Sequence, residues 1–326
     1  MNLTTSIFNI NSEEEFNPVS LAVFNYQWNY NIVYQQFCNY LKINPNEIKL
    51  IEQIPFLPIE FFKSHPIKTS NFEAEQIFLS SGTTGTAQSK HFVKDVGLYE
   101  TSFTKAFHHF YGNIEDYCVL ALLPSYLERE GSSLVYMVDK LIQLSNHQKS
   151  GFFLKNEQEL IEILQKLIKN EQKTILFGVS FALLDLAEKY QIDLSQLIIM
   201  ETGGMKGRRE ELTRTELHAI YKKSFNVSEI HSEYGMTELL SQAYSKGNGI
   251  FTTPNWMKIL VRDINDPFSF VENNKTGGIN VIDLANINSC SFIATQDLGK
   301  KITKNEFEVL GRFDNSDIRG CNLLVS

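Results

Sequence analysis

Strand-like and helix-like segments alternate through the middle of the chain, and this alternation limits the possible folds more than any other feature. Short apolar runs typical of buried strands are separated by segments whose apolar residues recur at helical spacing. In chain order these are a strand at residues 117–123, a helix at Glu157–Lys169, a strand at Thr174–Val179, a helix at 181–190 and a strand at 197–200. The order predicts an α/β fold in which helices cover a parallel sheet and loops at strand ends hold the site.

The last third of the chain has a different character, with the pair Gly277-Gly278 and short β-like runs such as residues 279–284. A smaller, mostly β part is therefore expected to complete the fold. With 326 residues, 43% of them apolar and 21% charged, the chain can bury a sizeable core. Because no repeat or low-complexity linker marks a boundary, residues 1–326 are predicted to form a single domain.

Charge and apolar patterning argue against two classes of partner. The formal net charge is -8 and the basic residues are scattered, so no nucleic-acid partner is expected. The N-terminal segment carries Glu13, Glu14 and Glu15 where a secretory leader would have a basic start and an apolar run. Apolar runs elsewhere are much shorter than the ~20 residues of a membrane span. We therefore expect a cytoplasmic protein without a membrane span.

The cysteines lack the close paired spacing of a zinc site or a small disulfide scaffold. They are Cys38, Cys118, Cys290 and Cys321, spread over most of the chain. In a reducing compartment each is expected to be a thiol. An isolated thiol is by default an inert core residue, unless another feature gives it a chemical role.

One segment has the composition of a phosphate-binding loop. It reads Ser80-Ser81-Gly82-Thr83-Thr84-Gly85 and is followed by Lys90. Glycines allow positive φ and expose successive amide groups, while the hydroxyls supply further donors to a phosphate. The segment lacks the Gly-Lys-Ser/Thr ending of a Walker A loop. On composition alone, a flexible surface turn remains the alternative.

A second segment combines groups suited to a nucleotide and a divalent cation. It reads Tyr234-Gly235-Met236-Thr237-Glu238 and lies close behind His231 and Glu233. Glu238 is a candidate ligand of Mg²⁺, Thr237 a candidate donor to a phosphate, and Tyr234 a candidate stacking surface for a base. Alone, the segment is also compatible with a strand-to-helix turn that carries a first-turn glutamate.

Together these motifs resemble the acyl-adenylate-forming superfamily. The two segments, Gly203-Gly204, Asp297-Leu298-Gly299 and Gly311-Arg312-Phe313-Asp314 follow the superfamily order over about 230 residues. The resemblance implies ATP and Mg²⁺ as cofactors and the large N-terminal domain of that superfamily as the fold. It implies that the loop at 81–85 and Lys90 contact phosphates, and that Thr237 and Glu238 contact the α-phosphate and Mg²⁺. The residues implied to contact adenine are Gly203, Gly204, Tyr234, Gly235 and Met236. Asp297 and Arg312 are implied to hold the ribose.

Two of these motifs also permit a plain structural interpretation. Asp297-Leu298-Gly299 has the composition of a turn, and Arg312 could be an ordinary surface cation.

Within the superfamily, the chain resembles the LuxE-type acyl-protein synthetases. The likeness rests on Thr202-Gly203-Gly204-Met205-Lys206-Gly207, on the short chain and on the ending Arg319-Gly320-Cys321-Asn322-Leu323-Leu324. It implies that a carboxylic acid, expected to be a long-chain fatty acid, passes through an acyl-adenylate to Cys321. It also implies an acyl-reductase or acyl-carrier protein as partner.

The sequence departs from the superfamily pattern in two ways. The loop lacks the usual proline and lysine directly after its last glycine, so Lys90 is displaced. The chain ends fifteen residues after Gly311, so residues 311–326 are expected to form a hinge-like tail without the lid domain and its catalytic lysine. Lys206 is a weak candidate to replace the catalytic lysine of the lid domain. Two alternatives stay open, a coenzyme A ligase of the phenylacetate type and a nucleotide-binding scaffold without catalysis.

Overall fold

The computed structural model describes residues 3–81, 87–124, 131–203 and 212–313. The helices of this part are α1 Leu3–Ile7, α2 Glu13–Tyr30, α3 Ile32–Tyr40, α4 Phe61–Ser64, α5 Val96–Tyr111, α6 Ser133–Ser145, α7 Glu157–Lys169, α8 Ser180–Lys189 and α9 Arg214–Phe225. The strands are β1 Leu57–Pro58, β2 Gln76–Leu79, β3 Lys90–Val93, β4 Cys118–Leu122, β5 Gly151–Phe152, β6 Thr174–Val179, β7 Ile198–Thr202, β8 His231–Tyr234, β9 Ala243–Ser245, β10 Ile250–Thr252, β11 Met257–Arg262, β12 Thr276–Asp283, β13 Phe292–Lys301 and β14 Glu306–Arg312. No helix in these ranges is long and apolar enough to cross a membrane.

The elements divide between two compact units. The central unit is the continuous segment Ala74–Pro254, and the split unit joins Met1–Glu73 to Asn255–Ser326. The β-rich last third therefore belongs to the split unit, together with the N-terminal helices. Composition could not reveal this division, because the split unit is assembled from the two ends of the chain.

A sheet with a parallel core organises the central unit. Strands β5, β4, β6, β7 and β8 lie side by side in parallel, and β9 and β10 continue the sheet antiparallel to β8. Every residue of β4 and β6 is buried, which explains their continuous apolar sequences. This arrangement confirms the α/β prediction, and the predicted helix and strand at Glu157–Lys169 and Thr174–Val179 have the observed bounds.

Helix α7 shows how local sequence determines these bounds. Its N-cap Asn156 accepts a hydrogen bond from the Glu159 amide, and two glutamates in the first turn and two lysines in the last complement the helix dipole. Leu160, Leu164 and Leu167 recur at helical spacing, and all three are buried. The helix therefore packs its apolar face inward and exposes its charges.

The split unit contains an antiparallel meander. Strands β11, β12, β13 and β14 pair in sequence order, and β1 pairs in parallel with β13. Gly277 lies inside β12, where a Cβ would collide with the backbone carbonyl of Arg262 on β11. A glycine in this strand thus permits close backbone approach.

Gln27 of α2 links the N-terminal part of the split unit to its C-terminal part. Its Nε2 donates to the carbonyls of Asn286 and Ile287 at 3.1 and 3.0 Å, and its Oε1 accepts from the Ser291 amide at 2.9 Å. Gln27 is completely buried. Its amide therefore satisfies backbone groups that would otherwise lack partners inside the core.

Replacing Gln27 with leucine should lower the free energy of unfolding by about 2–4 kcal/mol, because several buried backbone groups lose their partners. Chemical denaturation of both proteins measures the difference. Asn25→Ala is the matched control, since Asn25 is an exposed residue of the same helix whose side-chain amide donates to the Leu21 carbonyl of that helix. The control should change stability by less than about 0.5 kcal/mol. Equal stability of wild type and Gln27→Leu would contradict the assigned role.

Candidate functional site

The candidate residues of the central unit cluster where neighbouring parallel strands end. Val179 of β6, Thr202 of β7 and Glu233 of β8 are adjacent in the sheet register. The chain leaves these strands at Ser180, Gly203 and Gly235. This is the edge of an α/β sheet at which ligands ordinarily bind.

The predicted phosphate loop connects the two strands of a separate hairpin. Leu79 of β2 pairs with Lys90 of β3, and Ser80 closes the loop by donating its amide to the Ser89 carbonyl at 3.1 Å. The Ser89 amide in turn donates to Ser80 Oγ at 2.9 Å. The exposed Ser81 follows this closure, and Lys90 is exposed as the first residue of β3. The remaining predicted loop residues, Gly82, Thr83, Thr84 and Gly85, lie outside the described residues.

A direct contact ties this hairpin to the second motif. His91, the residue after Lys90, is 1% exposed, and its Nδ1 lies 2.8 Å from the carbonyl oxygen of Thr237. An imidazole nitrogen that faces a carbonyl oxygen must carry the proton and donate it. The structure therefore brings Lys90 and Thr237 into one region of the central unit, as their shared assignment to the phosphates requires.

The second motif forms a turn between two strands. Tyr234 ends β8, a hydrogen bond from the Leu239 amide to the Met236 carbonyl closes the turn, and the chain then enters β9. Gly235, Met236 and Thr237 are half-buried, whereas Glu238 is only 5% exposed. A strand, and not a helix, follows the motif, which removes the alternative of a first-turn glutamate.

Gly203 occupies a conformation that favours glycine. Its φ is +70°, in the left-handed region. Ser180 at the start of α8 fixes this turn, since its Oγ lies 2.6 Å from the Gly203 carbonyl oxygen and 2.7 Å from Glu201 Oε1. The adjacent Gly204 lies outside the described residues.

A buried ionic network supports the Gly203 turn. Glu201 Oε2 lies 3.0 Å from His218 Nε2 and 4.0 Å from Arg214 Nε. Burial acts to raise the pKa of Glu201, but the His218 hydrogen bond and charge, assisted by Ser180 and Arg214, outweigh it and hold that pKa below its usual value. Arg214 also lies over the Phe251 ring, 5.1 Å from its centroid.

Glu233 connects the ends of β7 and β8. Its Oε2 accepts a 2.6 Å hydrogen bond from Thr202 Oγ1. Its Oε1 occupies the space beside Gly235, where a Cβ would collide with it. Burial raises the pKa of Glu233 to about 7, and the bond from Thr202 opposes this shift only in part.

Tyr234 points to the opposite face of β8 from Glu233, because successive side chains of a strand alternate. It is 8% exposed, and its ring meets that of Phe251 edge-on with centroids 5.9 Å apart. The ring is thus fixed by packing at the end of the strand.

The remaining described candidates belong to the split unit. Asp297 of β13 and Arg312 of β14 are paired in the strand register, with Arg312 Nε 3.6 Å from Asp297 Oδ1. The Asp297 side chain is largely buried, and that of Arg312 is 83% exposed. Asp297-Leu298-Gly299 therefore lies within a strand and is not a turn. A Cβ at Gly299 would collide with the carbonyl of Glu308, so this glycine permits close approach of β14.

The predicted hinge-like tail is described only at its start. Gly311 and Arg312 end β14, and the Phe313 amide donates to the Gln296 carbonyl at 2.7 Å. Residues from Asp314 onward lie outside the described residues, and these include Cys321.

The described cysteines fit the prediction of inert core thiols. Cys38, Cys118 and Cys290 are free and buried. Burial raises the pKa of Cys38 to about 12 and that of Cys118 to about 11, and it raises that of Cys290 further. Because the thiolate is the nucleophilic form, all three are poor nucleophiles at neutral pH.

Several residues of the site had no signal in the sequence analysis. His91, Ser180, Glu201 and His218 act through contacts with residues distant in sequence. His91 could have been noticed only through its position next to Lys90. A groove of about 760 Å³ in the split unit was also not anticipated, and its lining includes Phe56, Arg262, Phe270 and Phe313.

Comparisons with known proteins identify a sequence family that matches the chain and solved structures that share its fold. The sequence model of a family described as acyl-protein synthetase, LuxE, matches residues 6–326. No curated protein sequence matches the chain.

Solved structures show the same fold at low sequence identity. ATP-bound MatB from Rhodopseudomonas palustris has a TM-score of 0.56 and 16% identity over 72% of this chain and 47% of its own. An open conformation of 2-hydroxyisobutyryl-CoA ligase, in complex with 2-HIB-AMP and CoA, has a TM-score of 0.67 and 12% identity over 94% of this chain and 72% of its own. The chain spans about half the length of the MatB structure it matches.

Proposed function

Since the chain belongs to the LuxE acyl-protein synthetase family, we propose that it activates a carboxylic acid with ATP as an acyl-adenylate and passes the acyl group to a protein thiol. The acid we propose is a long-chain fatty acid, and the first acceptor is Cys321. An acyl-reductase or an acyl-carrier protein would then receive the acyl group.

The observation that carries this proposal is the contact between His91 and the Thr237 carbonyl. It joins the hairpin that presents Lys90 to the turn that presents Glu238, beside the ends of β7 and β8. Two segments with phosphate-binding composition thus meet at the edge where α/β sheets bind ligands. The matched structures of MatB and 2-hydroxyisobutyryl-CoA ligase contain ATP and an acyl-adenylate, respectively.

The described side chains suit a nucleotide with a bound divalent cation. No group of three or more His, Cys, Asp or Glu side chains that could hold a metal occurs within residues 3–81, 87–124, 131–203 and 212–313. A nucleotide-bound Mg²⁺ needs only one or two protein carboxylates, because phosphates and waters complete its shell. We assign this role to Glu238, on its position in the Tyr234–Glu238 segment. When bound, Mg²⁺ would neutralise charge on the phosphates.

In the first chemical step, a carboxylate oxygen of the acid attacks the α-phosphorus of ATP and pyrophosphate leaves. Both reactants are anions, so the protein contributes mainly by positioning and by stabilising charge. We assign this work to the hydroxyls and amides at Ser81-Gly82-Thr83-Thr84-Gly85, to Lys90 and to Thr237. Gly203, Gly204 and Tyr234 to Met236 would contact adenine. The assignment of Asp297 and Arg312 to the ribose stays a prediction from the sequence.

In the second step, a thiolate attacks the acyl carbon and AMP leaves. Cys321 is the proposed nucleophile, since it follows the Gly311-Arg312 motif in the sequence and Arg319, two residues before it, could lower the pKa of its thiol. The raised pKa values of the three buried cysteines support this choice by making those thiols unreactive.

A second candidate function is transfer of the acyl group to coenzyme A. It is favoured by the fold match to a coenzyme A ligase whose structure contains CoA. Both functions share the first step and differ in the product, which is a covalent acyl-protein in one case and a soluble thioester in the other.

Acid-dependent exchange of labelled pyrophosphate into ATP tests the proposed first step. A panel of fatty and aryl acids should give exchange with at least one fatty acid, and the intact protein should gain the mass of one acyl group. Exchange without a protein adduct, together with acyl-CoA formation, would favour the coenzyme A ligase. ATP binding without exchange for any acid would indicate a scaffold without catalysis.

A further inference from the structure

The carboxyl of Glu233 contacts both segments that lead into the proposed ATP site. Oε2 accepts from Thr202 Oγ1, directly before Gly203. Oε1 fills the space that the missing Cβ of Gly235 leaves, directly before Met236 and Thr237. One side chain therefore sets the relative position of the two turns.

The titratable neighbours of Glu233 along β8 and across from it on β9 are neutral near pH 7. Tyr244 of β9 lies opposite Glu233 in the strand register, and burial raises the pKa of its phenol well above the usual value. His231 lies two residues away on β8, and burial lowers its pKa to about 4. Tyr111 of α5 bonds to His231 at 3.2 Å, and burial raises its pKa as well.

The charged groups just before β8 and just after β9 do not shift the pKa of Glu233. Lys246 and Glu229 influence the pKa of His231, whereas the pKa of Glu233 responds to burial and to Thr202. These surroundings favour the neutral form of the Glu233 carboxyl.

We propose that Glu233 is a positioning residue of the ATP site that works in its neutral form, and that its ionisation weakens ATP binding. The inference rests on the proposed function, because it takes the ligand at these strand ends to be ATP. A carboxylate at this half-buried position would place a negative charge near a polyanion, and such repulsion is stronger in partly buried surroundings than in water. By linkage, bound ATP would raise the proton affinity of Glu233.

The test compares ATP affinity between pH 6 and pH 8.5 in wild type, Glu233→Gln and Glu229→Gln, by calorimetry and by KM for ATP in the exchange assay. Glutamine keeps an acceptor for Thr202 and cannot ionise. ATP itself titrates near pH 6 to 7, as other phosphates do, so only the difference between proteins is informative. From pH 6 to pH 8.5, the Kd for ATP of the wild type should rise by a factor about ten times larger than the corresponding factor for Glu233→Gln. Glu229→Gln should behave as wild type, because Glu229 pairs with Lys222 outside the site.

A second variant separates positioning from charge. Glu233→Ala removes the support of both turns, so KM for ATP should rise at every pH by more than it does in Glu233→Gln. An identical pH dependence in wild type and Glu233→Gln would overturn the inference even if exchange confirms the proposed function. Wild-type affinity in Glu233→Ala at pH 6 would also overturn it. If the wild type neither binds ATP nor catalyses pyrophosphate exchange, both the proposed function and this inference are contradicted.

Discussion

Glu238→Gln should lower the rate of acid-dependent ATP–pyrophosphate exchange by about 100-fold or more, while the protein still folds. The change removes the negative charge that we assign to Mg²⁺ and leaves side-chain size nearly unchanged. Charge stabilisation is the main contribution a protein makes to this step, so its loss should appear in the maximal rate. Exchange with a fatty acid that the wild type accepts measures the effect.

Glu162→Gln is the matched control, since Glu162 is an exposed residue of α7. It should retain wild-type exchange, and both variants should unfold within a few degrees of wild type. Exchange by Glu238→Gln at more than about a tenth of the wild-type rate would contradict the assignment of Glu238.

Cys321→Ser should abolish the acyl-protein thioester and leave exchange nearly intact. Adenylation precedes transfer, so loss of the acceptor affects only the second step. Labelled acid and ATP should leave hydroxylamine-sensitive label on wild type and almost none on Cys321→Ser. Exchange measured on the same preparations shows whether the first step survives.

Cys38→Ala, Cys118→Ala and Cys290→Ala are the controls, because each removes one of the buried thiols. Each of these three variants should carry as much acyl label per mole of folded protein as the wild type. A persistent thioester on Cys321→Ser, or transfer only to added coenzyme A, would contradict the acyl-protein assignment and favour the ligase.

The alternating strands and helices between residues 117 and 202 could be predicted from the sequence because their signals are local. The bounds of α7 and β6 follow from the spacing of apolar residues and from a cap at Asn156. The strand-to-loop transitions at Gly203 and Gly235 follow from the glycines that end those strands. Their order along the chain also indicated which loops would share one edge of the sheet.

The split unit and the supports of the site could not be predicted in this way, because they depend on contacts between distant residues. Gln27 bonds to the Asn286 carbonyl, 259 residues further along the chain, and His91 contacts Thr237 across 146 residues. No periodicity or local motif encodes such pairs. The roles assigned to Gly82 to Gly85, Gly204 and Cys321 stay predictions, since these residues lie outside the described ranges.

Formation of an acyl-adenylate is the central claim, and the fate of the substrate oxygen tests it most directly. When a carboxylate attacks the α-phosphorus, one of its oxygens becomes the bridge to AMP and stays on AMP after the thiolate takes the acyl group. A fatty acid labelled with ¹⁸O in its carboxylate should therefore yield AMP that contains one ¹⁸O atom, as measured by mass spectrometry after one turnover with ATP. Unlabelled AMP, or ¹⁸O in inorganic phosphate together with ADP, would contradict the account.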